Sequence, residues 1–324
     1  MQTGLATAGA TAGTARSAGA APVSLGRFGD WTSWSSLLVL VLLLPLSVLS
    51  VAALTSIPAV AGPLFPHWTY VWTWAAATVA YFAALPLLFL PGLGRLRIRL
   101  FLPQTRPPTP TERSVLRPAW DAVLARAAGQ GDRRYRLRML DVDAVNAAAG
   151  CGRLVLATSH ALAALPRHQL EAVLAHELGH HTGLHPVVTV TRIWLVRPVV
   201  WFHALALRVL HFMDYLVAVS ATRWIAVALR VLLLVPIAVL HLVRLALNGA
   251  SAVLMFFGRQ AEHRADLTAV RLGYGDDLIE ALQTIEDQNE PDDGAAAGAL
   301  SGVWATHPDA ARRVRRIRRA LAER

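Results

Sequence analysis

A chain of 324 residues has room for one or two domains and a sizeable core. At 55% hydrophobic and 16% charged residues it is too apolar for an ordinary soluble protein, yet it carries a formal net charge of +10 from 31 basic residues, all arginine. That balance would suit nucleic acid or an anionic membrane surface; the long apolar segments select the lipid bilayer, and no nucleic-acid partner is expected. The single cysteine, Cys151, lies between two glycines. It cannot form an internal disulfide, so the fold does not depend on an oxidising compartment, and it reads as a small turn residue rather than a nucleophile.

Residues 1–33, rich in Ala, Gly, Thr and Ser, are expected to form a flexible tail. Residues 34–54 carry no charge and are long enough to cross about 30 Å of hydrocarbon. The alternative is the apolar core of a signal peptide cleaved near Ser50-Val51-Ala52, which fits poorly with the long, weakly basic lead-in. A second apolar segment runs over 68–90, and residues 34–91 together read as a transmembrane hairpin. Trp31, Trp34, Trp68, Tyr70, Trp72 and Trp74 crowd the starts of the two segments, as amphipathic rings do at the headgroup level. The 55–67 loop has no arginine, whereas Arg95, Arg97, Arg99 and Arg106 come just after the second segment. The positive-inside rule therefore puts that loop outside and the chain beyond Pro91 in the cytoplasm.

Residues 92–186 are expected to be the first part of a catalytic domain. Pro- and Thr-rich residues 103–118 read as a linker, 119–128 as a helix, 136–140 as a strand and 146–152 as a turn. Arg153, Leu154, Val155, Leu156, Ala157 and Thr158 form a second strand. It is either an edge on which an extended peptide adds as one more strand, or one arm of a plain hairpin packed on the next helix. That helix starts near Pro166, repeats Leu170, Leu174 and Leu178 on one face, and stops near Gly183 and Pro186.

Residues 187–257 are again mostly apolar and suggest a second membrane-associated hairpin, with helices near 187–212 and 222–247. Arg223, Arg230 and Arg244 recur at multiples of seven, as a buried or cavity-facing stripe would; a soluble helical hairpin is the competing reading. Residues 258–324 are expected to complete the catalytic domain. They begin with a polar helix bearing Glu262 and Asp266, cross an Asp- and Gly-rich loop, and end in an arginine-rich helix preceded by His307 and including Arg313.

The chemistry lies in His176-Glu177-Leu178-Gly179-His180. At about 100° per residue, His176 and His180 share one helix face one turn apart, where both imidazoles can reach one tetrahedral Zn²⁺. Glu177 lies beside such a metal, placed to take a proton from water. Two histidines leave a catalytic zinc one protein ligand short. His185 is one residue early for the metzincin pattern, since Pro186 occupies the required position. Glu262 makes a His₂Glu set instead, and Asp266, four residues on, can hold the second nitrogen of a ligand imidazole.

His-Glu-Leu-Gly-His at 176–180, Glu-x-x-Ala-Asp at 262–266 and Thr-His-Pro-x-x-x-x-Arg at 306–313 occur in that order. Over about residues 130–320 this resembles the HtpX-like integral-membrane zinc metallopeptidases, relatives of the CAAX prenyl proteases. The resemblance implies His176, His180 and Glu262 as ligands of one zinc per chain, and Glu177 as catalytic base. It also implies a cytosol-facing site, a substrate-binding edge strand at 153–158, and His307 and Arg313 near the reacting group, with His307 stabilising the oxyanion. Asp309 and the Leu184-His185-Pro186 run depart from the family's habit, which bears on the cleft rather than the metal. The expected fold is a mainly α membrane protein: a gluzincin-like α+β catalytic domain with a small β-sheet, plus two apolar helical hairpins giving four transmembrane helices. The expected activity is zinc-dependent endopeptidase action on proteins or peptides, membrane proteins foremost, in membrane-protein quality control at the plasma membrane. An antirepressor-type sensor protease and an inactive membrane scaffold are the alternatives. The first would need a ligand-sensing domain for which there is no room, and the second has no use for Glu177.

Overall fold

The structure is a computed structural model that describes residues 23–24, 31–60, 67–129, 135–150, 152–220, 222–288 and 310–324. The expected tail therefore lies almost wholly outside the described residues, as does His307. The chain is mainly helical. Its elements in order are β1 (Val23–Ser24), α1 (Trp31–Val60), α2 (His67–Leu87), a 3₁₀ turn (Pro91–Leu93), α3 (Gly94–Phe101), β2 (Thr105–Arg106), α4 (Pro110–Arg126) and β3 (Ala127–Ala128). Then come β4 (Arg136–Leu140), β5 (Ala147–Gly150), β6 (Leu154–Thr158), α5 (Ser159–Ala164) and α6 (Arg167–Thr182). The last four are α7 (His185–Ser220), α8 (Arg223–Arg271), α9 (Gly275–Gln288) and α10 (Ala310–Ala322).

Three described helices, α1, α7 and α8, are long and apolar enough to cross a membrane; the apolar part of α2, Val71–Leu87, is shorter. Helix α1 buries a narrow seam, Ser33, Ser36, Leu40, Ser47, Ser50 and Val51, at steps of three, four and seven. Small hydroxyl residues at that spacing let α7 and α8 approach closely, which is how helices associate where lipid removes the hydrophobic drive. Helix α2 is tied to α1 by Trp74 Nε1, which donates to the Ala52 carbonyl at 2.7 Å. It is tied to α7 by Tyr81, whose hydroxyl donates to the Trp194 carbonyl at 2.8 Å and whose ring stacks on Trp194 at 4.6 Å. Arg223, Arg230 and Arg244 are not buried, so the stripe expected to face an interior does not. Arg230 instead meets Asp214 of α7 at 2.9 Å.

A separate core joins the sheet to α4, α6, α9, α10 and the end of α8. Trp120 and Leu116 from α4, Met139 from β4, Val155 from β6, Leu174 from α6, Tyr274, Leu278 from α9 and Ile317 from α10 are all essentially excluded from solvent. The linker expected at 103–118 is half helix. Thr109 caps α4 by accepting from the Glu112 amide while Glu112 accepts from the Thr109 amide, and Pro110 opens the first turn.

The main sheet has the order β2-β4-β6-β5, with β4 and β6 parallel and the two flanking pairs antiparallel. The strand expected at an edge, 153–158, is thus an interior strand: β6 pairs on both sides and buries all five residues. Its neighbour arises where a turn was expected. Ala147–Gly150 has little strand propensity, but a tight return through Gly152 and Arg153, both at positive φ, lays it back on β6. Strand β5 ends the sheet and packs beside α6.

Candidate metal centre

Helix α6 is amphipathic only in name, because almost every residue from Gln169 to Leu178, and His180, is buried. Leu170, Leu174 and Leu178 fill the core, and the histidine face meets α8. The close approach is made at Gly179. A Cβ built there would lie 2.7 Å from the Ala265 Cα, a backbone atom that cannot move aside cheaply. Glycine lets the two helix backbones meet, and Ala265 sits one turn from Glu262 and beside Asp266. In the sequence this glycine is simply part of the motif; its role depends on what lies opposite.

Across that contact the donors converge. His176 Nε2 is 3.4 Å from Glu262 Oε2, and His180 Nε2 is 3.3 Å from Glu262 Oε1. One ligating atom from each residue lies within 4.8 Å of the others, and all three side chains are buried. A tetrahedral zinc with ligands at about 2.0–2.2 Å has ligand–ligand edges of roughly 3.3–3.6 Å, and each histidine lies at that spacing from one of the two Glu262 oxygens. Two imidazoles and one carboxylate are also the donor chemistry of a catalytic zinc with one open position. The residues fit the metal.

Behind the donors, Asp266 Oδ1 lies 2.9 Å from His176 Nδ1. An Nδ1–H donated there turns the Nε2 lone pair toward Glu262 and His180. Arg313 clasps the same carboxylate from α10, donating from Nη2 to Oδ1 at 2.6 Å and from Nε to Oδ2 at 3.1 Å. Its Nη2 is also 3.2 Å from His176 Nδ1, but with a proton on that nitrogen the pair is a close approach, not a bond. Burial works against the Arg313 charge, yet Asp266 first, then Glu262 and Glu177, outweigh it, and the guanidinium is held above its ordinary range. Burial and Arg313 press His176 toward neutrality; hydrogen bonds to Asp266 and Glu262 prevail and raise it to about 9. A metal would compete with that proton.

Glu177 is 2% exposed, near enough to Arg313 for its charge to be felt there. His181 points away: burial, and then the neighbouring His180, hold it down to about 4, so it is neutral and donates Nε2–H to the Leu154 carbonyl at 3.1 Å. That bond joins the motif helix to β6. His185 begins α7, after the break at Gly183 that ends α6. The expected set His176, His180, Glu262, Asp266 and Arg313 is therefore brought together, and the strand 153–158 stands behind β5.

The sequence profile of peptidase family M48 matches residues 117–321. Two curated proteins, each named Protease HtpX, are similar to this chain: one from Pseudomonas savastanoi pv. phaseolicola and one from Pseudomonas syringae pv. tomato. Each is 29% identical over 163 residues, 47% of this chain and 52% of the relative. The chain thus spans about half the length of the curated relatives it matches.

Proposed function

This chain belongs to peptidase family M48, and from that premise and the geometry at α6 and α8 we propose that it is a zinc-dependent endopeptidase of the membrane. The observation that carries the reading is the meeting of His176, His180 and Glu262 at tetrahedral-edge spacing, with a buried Glu177 one residue from the first histidine. When bound, zinc supplies Lewis-acid chemistry: it acidifies water and polarises a peptide carbonyl.

The chain's own groups do the rest. Glu177 takes a proton from the attacking water and returns it to the leaving amine. Asp266, neutralised by Arg313, fixes the tautomer and orientation of His176. Strand β5, whose outer side has no partner strand among the described residues, offers backbone groups to an extended substrate beside α6. His307 is assigned to the developing oxyanion on the family resemblance alone. The topology that fits the arginines after α2 has α1 and α2, then α7 and α8, crossing the plasma membrane with the catalytic part in the cytoplasm. Unfolded or damaged membrane proteins are the substrates that suit a site at that surface, in keeping with a quality-control role.

The test is cleavage of an unfolded membrane protein by the purified full chain, with zinc and with chelator, beside Glu177→Gln. The reading expects zinc-dependent cleavage that falls by roughly 10²–10⁴-fold in Glu177→Gln at unchanged zinc content. No zinc-dependent cleavage by the parent would leave the scaffold reading standing. Parent-level cleavage by zinc-loaded Glu177→Gln would remove the assigned base.

A further inference from the structure

A concave site lies beside β4, where α2 hands over to the catalytic part. Arg97 of α3 donates to the Leu88 carbonyl at 2.5 Å and so pins α3 under the end of α2. Helix α3 leaves Leu96 and Leu100 exposed, and the ring of Phe101 sits 6.1 Å from Trp194 of α7. A short helix with exposed leucines and arginines, held at the foot of a membrane helix, lies along an interface plane.

Behind it is a cavity of about 430 Å³ between α3, the start of α4 and β4. Arg95, Arg113, Arg117, Arg136 and Arg138 line it, with Tyr135 among them, and none of the described lining residues is acidic. Arg136 is built into place: its Nη1 lies 2.7 Å from where a Cβ on Gly94 would be, so the guanidinium packs on the bare glycine backbone. Arg138 is partly withdrawn from solvent and donates to the Thr105 carbonyl; its burial pushes the guanidinium below its ordinary range. Among the described residues only Arg117 of the five has an acidic partner, Asp121 at 2.9 Å on the same helix. Guanidinium groups gathered from three elements, four of the five without a carboxylate among the described residues, form a receptor for a multidentate anion, and phosphate is the group their fork geometry matches. Ile98 and Leu137 add an apolar wall, continuous with the exposed leucines of α3.

We propose that this cavity binds the phosphate of an anionic phospholipid headgroup in the leaflet from which α2 emerges, and so seats the catalytic part on the bilayer. The inference rests on the membrane reading of α1 and α2 and is independent of the peptidase reading. Sedimentation of the chain with carbonate-washed membranes tests the membrane reading by itself.

The experiment uses the purified full chain in detergent micelles. Native mass spectrometry counts bound phosphatidylglycerol, phosphatidylcholine or inorganic phosphate on the parent, on Arg113→Gln/Arg136→Gln, and on Arg315→Gln/Arg318→Gln of α10. The proposal expects phosphatidylglycerol to bind in preference to phosphatidylcholine. It expects about thirty-fold weaker binding when the two cavity charges are removed, and parent-level binding when two α10 charges are removed. Arg113→Lys/Arg136→Lys keeps the charge but not the fork, so its binding should fall between the parent and the glutamine variant, a graded loss that a failure to fold would not give. Equal binding of phosphatidylcholine, or equal loss in the α10 variant, would overturn the site in favour of non-specific adhesion. Displacement of phosphatidylglycerol by millimolar inorganic phosphate would overturn the lipid as ligand and leave a free-phosphate site.

Discussion

The two ends of α8 follow opposite rules. Toward the hairpin tip the apolar residues face outward: Leu232 is 67% exposed and Leu242 65%. Further along, two carboxylates face inward: Glu262 is 4% exposed and Asp266 1%. One unbroken helix, Arg223–Arg271, thus changes its surroundings along its length. Exposure of leucine to lipid is nearly cost-free, because lipid tails are as apolar as the side chain. Burial of two carboxylates is tolerated because imidazoles and Arg313 meet them. Burial is therefore decided by the partner at each level, not by the polarity of the residue.

Substitutions along the helix test that contrast. The largest effect is expected from Glu262→Ala, which should take zinc from about one per chain to background by elemental analysis, with cleavage lost along with it; His185→Ala should leave both unchanged. Retained metal in the first variant and loss in the second would reverse the choice of third ligand. Next comes Asp266→Ala, which strands a buried Arg313 and frees the His176 ring. A loss of about 3–5 kcal/mol is expected in chemical unfolding, the usual result of removing one partner of a buried ion pair. A loss under about 1 kcal/mol would mean that Arg313 finds water on its own.

Gly179→Ala tests the contact between the two regimes. Its new Cβ meets the Ala265 backbone, so destabilisation of about 1–3 kcal/mol and weaker zinc retention are expected under chelator challenge. Parent-like zinc retention would show that the helices can part without cost. Leu232→Ala sharpens the other side: away from any packed neighbour it should shift stability in detergent by less than about 0.5 kcal/mol. A shift of about 2 kcal/mol or more would reveal an interface on that face.

The smallest effect concerns acid. Arg106 grips Glu112 at 2.7 Å and Asp141 at 2.6 Å, and its hydrogen bond holds the Glu112 carboxyl down to about 2. A carboxyl with a lower pKa folded than unfolded stabilises above its unfolded value, near 4.5, and loses that contribution as pH falls toward about 2. The thermal midpoint of the parent should therefore exceed that of Glu112→Gln at pH 7, with the gap closing between about pH 4.5 and 2. Because the cluster is partly open to solvent, the gap should be small and should shrink in salt. A gap that widened in acid would contradict the pairing.

The metal donors were legible because both motifs repeat at the helical period: His176 and His180 four apart, Glu262 and Asp266 four apart. Arg313 was found through the family resemblance alone, since nothing local marks one arginine among many. The helix at Pro110–Arg126 was there to be read, its capping box in Thr109 and Glu112, but the prolines around it favour a linker. Strand β5 had no such signal: three alanines and a glycine pair with β6 because the tight turn brings them there. The continuity of α8 through Gly258 was equally hidden, because a glycine inside a helix costs only about 1 kcal/mol when both flanks are held. The serine seam of α1 was lost in a uniformly apolar run until its neighbours were known.

The unbroken length of α8 also has a mechanical consequence. At about 1.5 Å per residue the helix is roughly 73 Å long, with Pro236 inside it. Glu262 lies only three residues from the close contact of Gly179 with Ala265, about 4.5 Å along the axis, while Arg223 lies about 63 Å away. Between them Pro236 interrupts the hydrogen-bond ladder and Leu254 is held in a buried cluster with Leu40, Val188 and Leu195, so a displacement of the far tip has two places to be absorbed before it reaches Glu262. The near end of the helix belongs to the candidate site and the far end to its apolar surroundings, and the proline and the cluster between them insulate the one from the motions of the other.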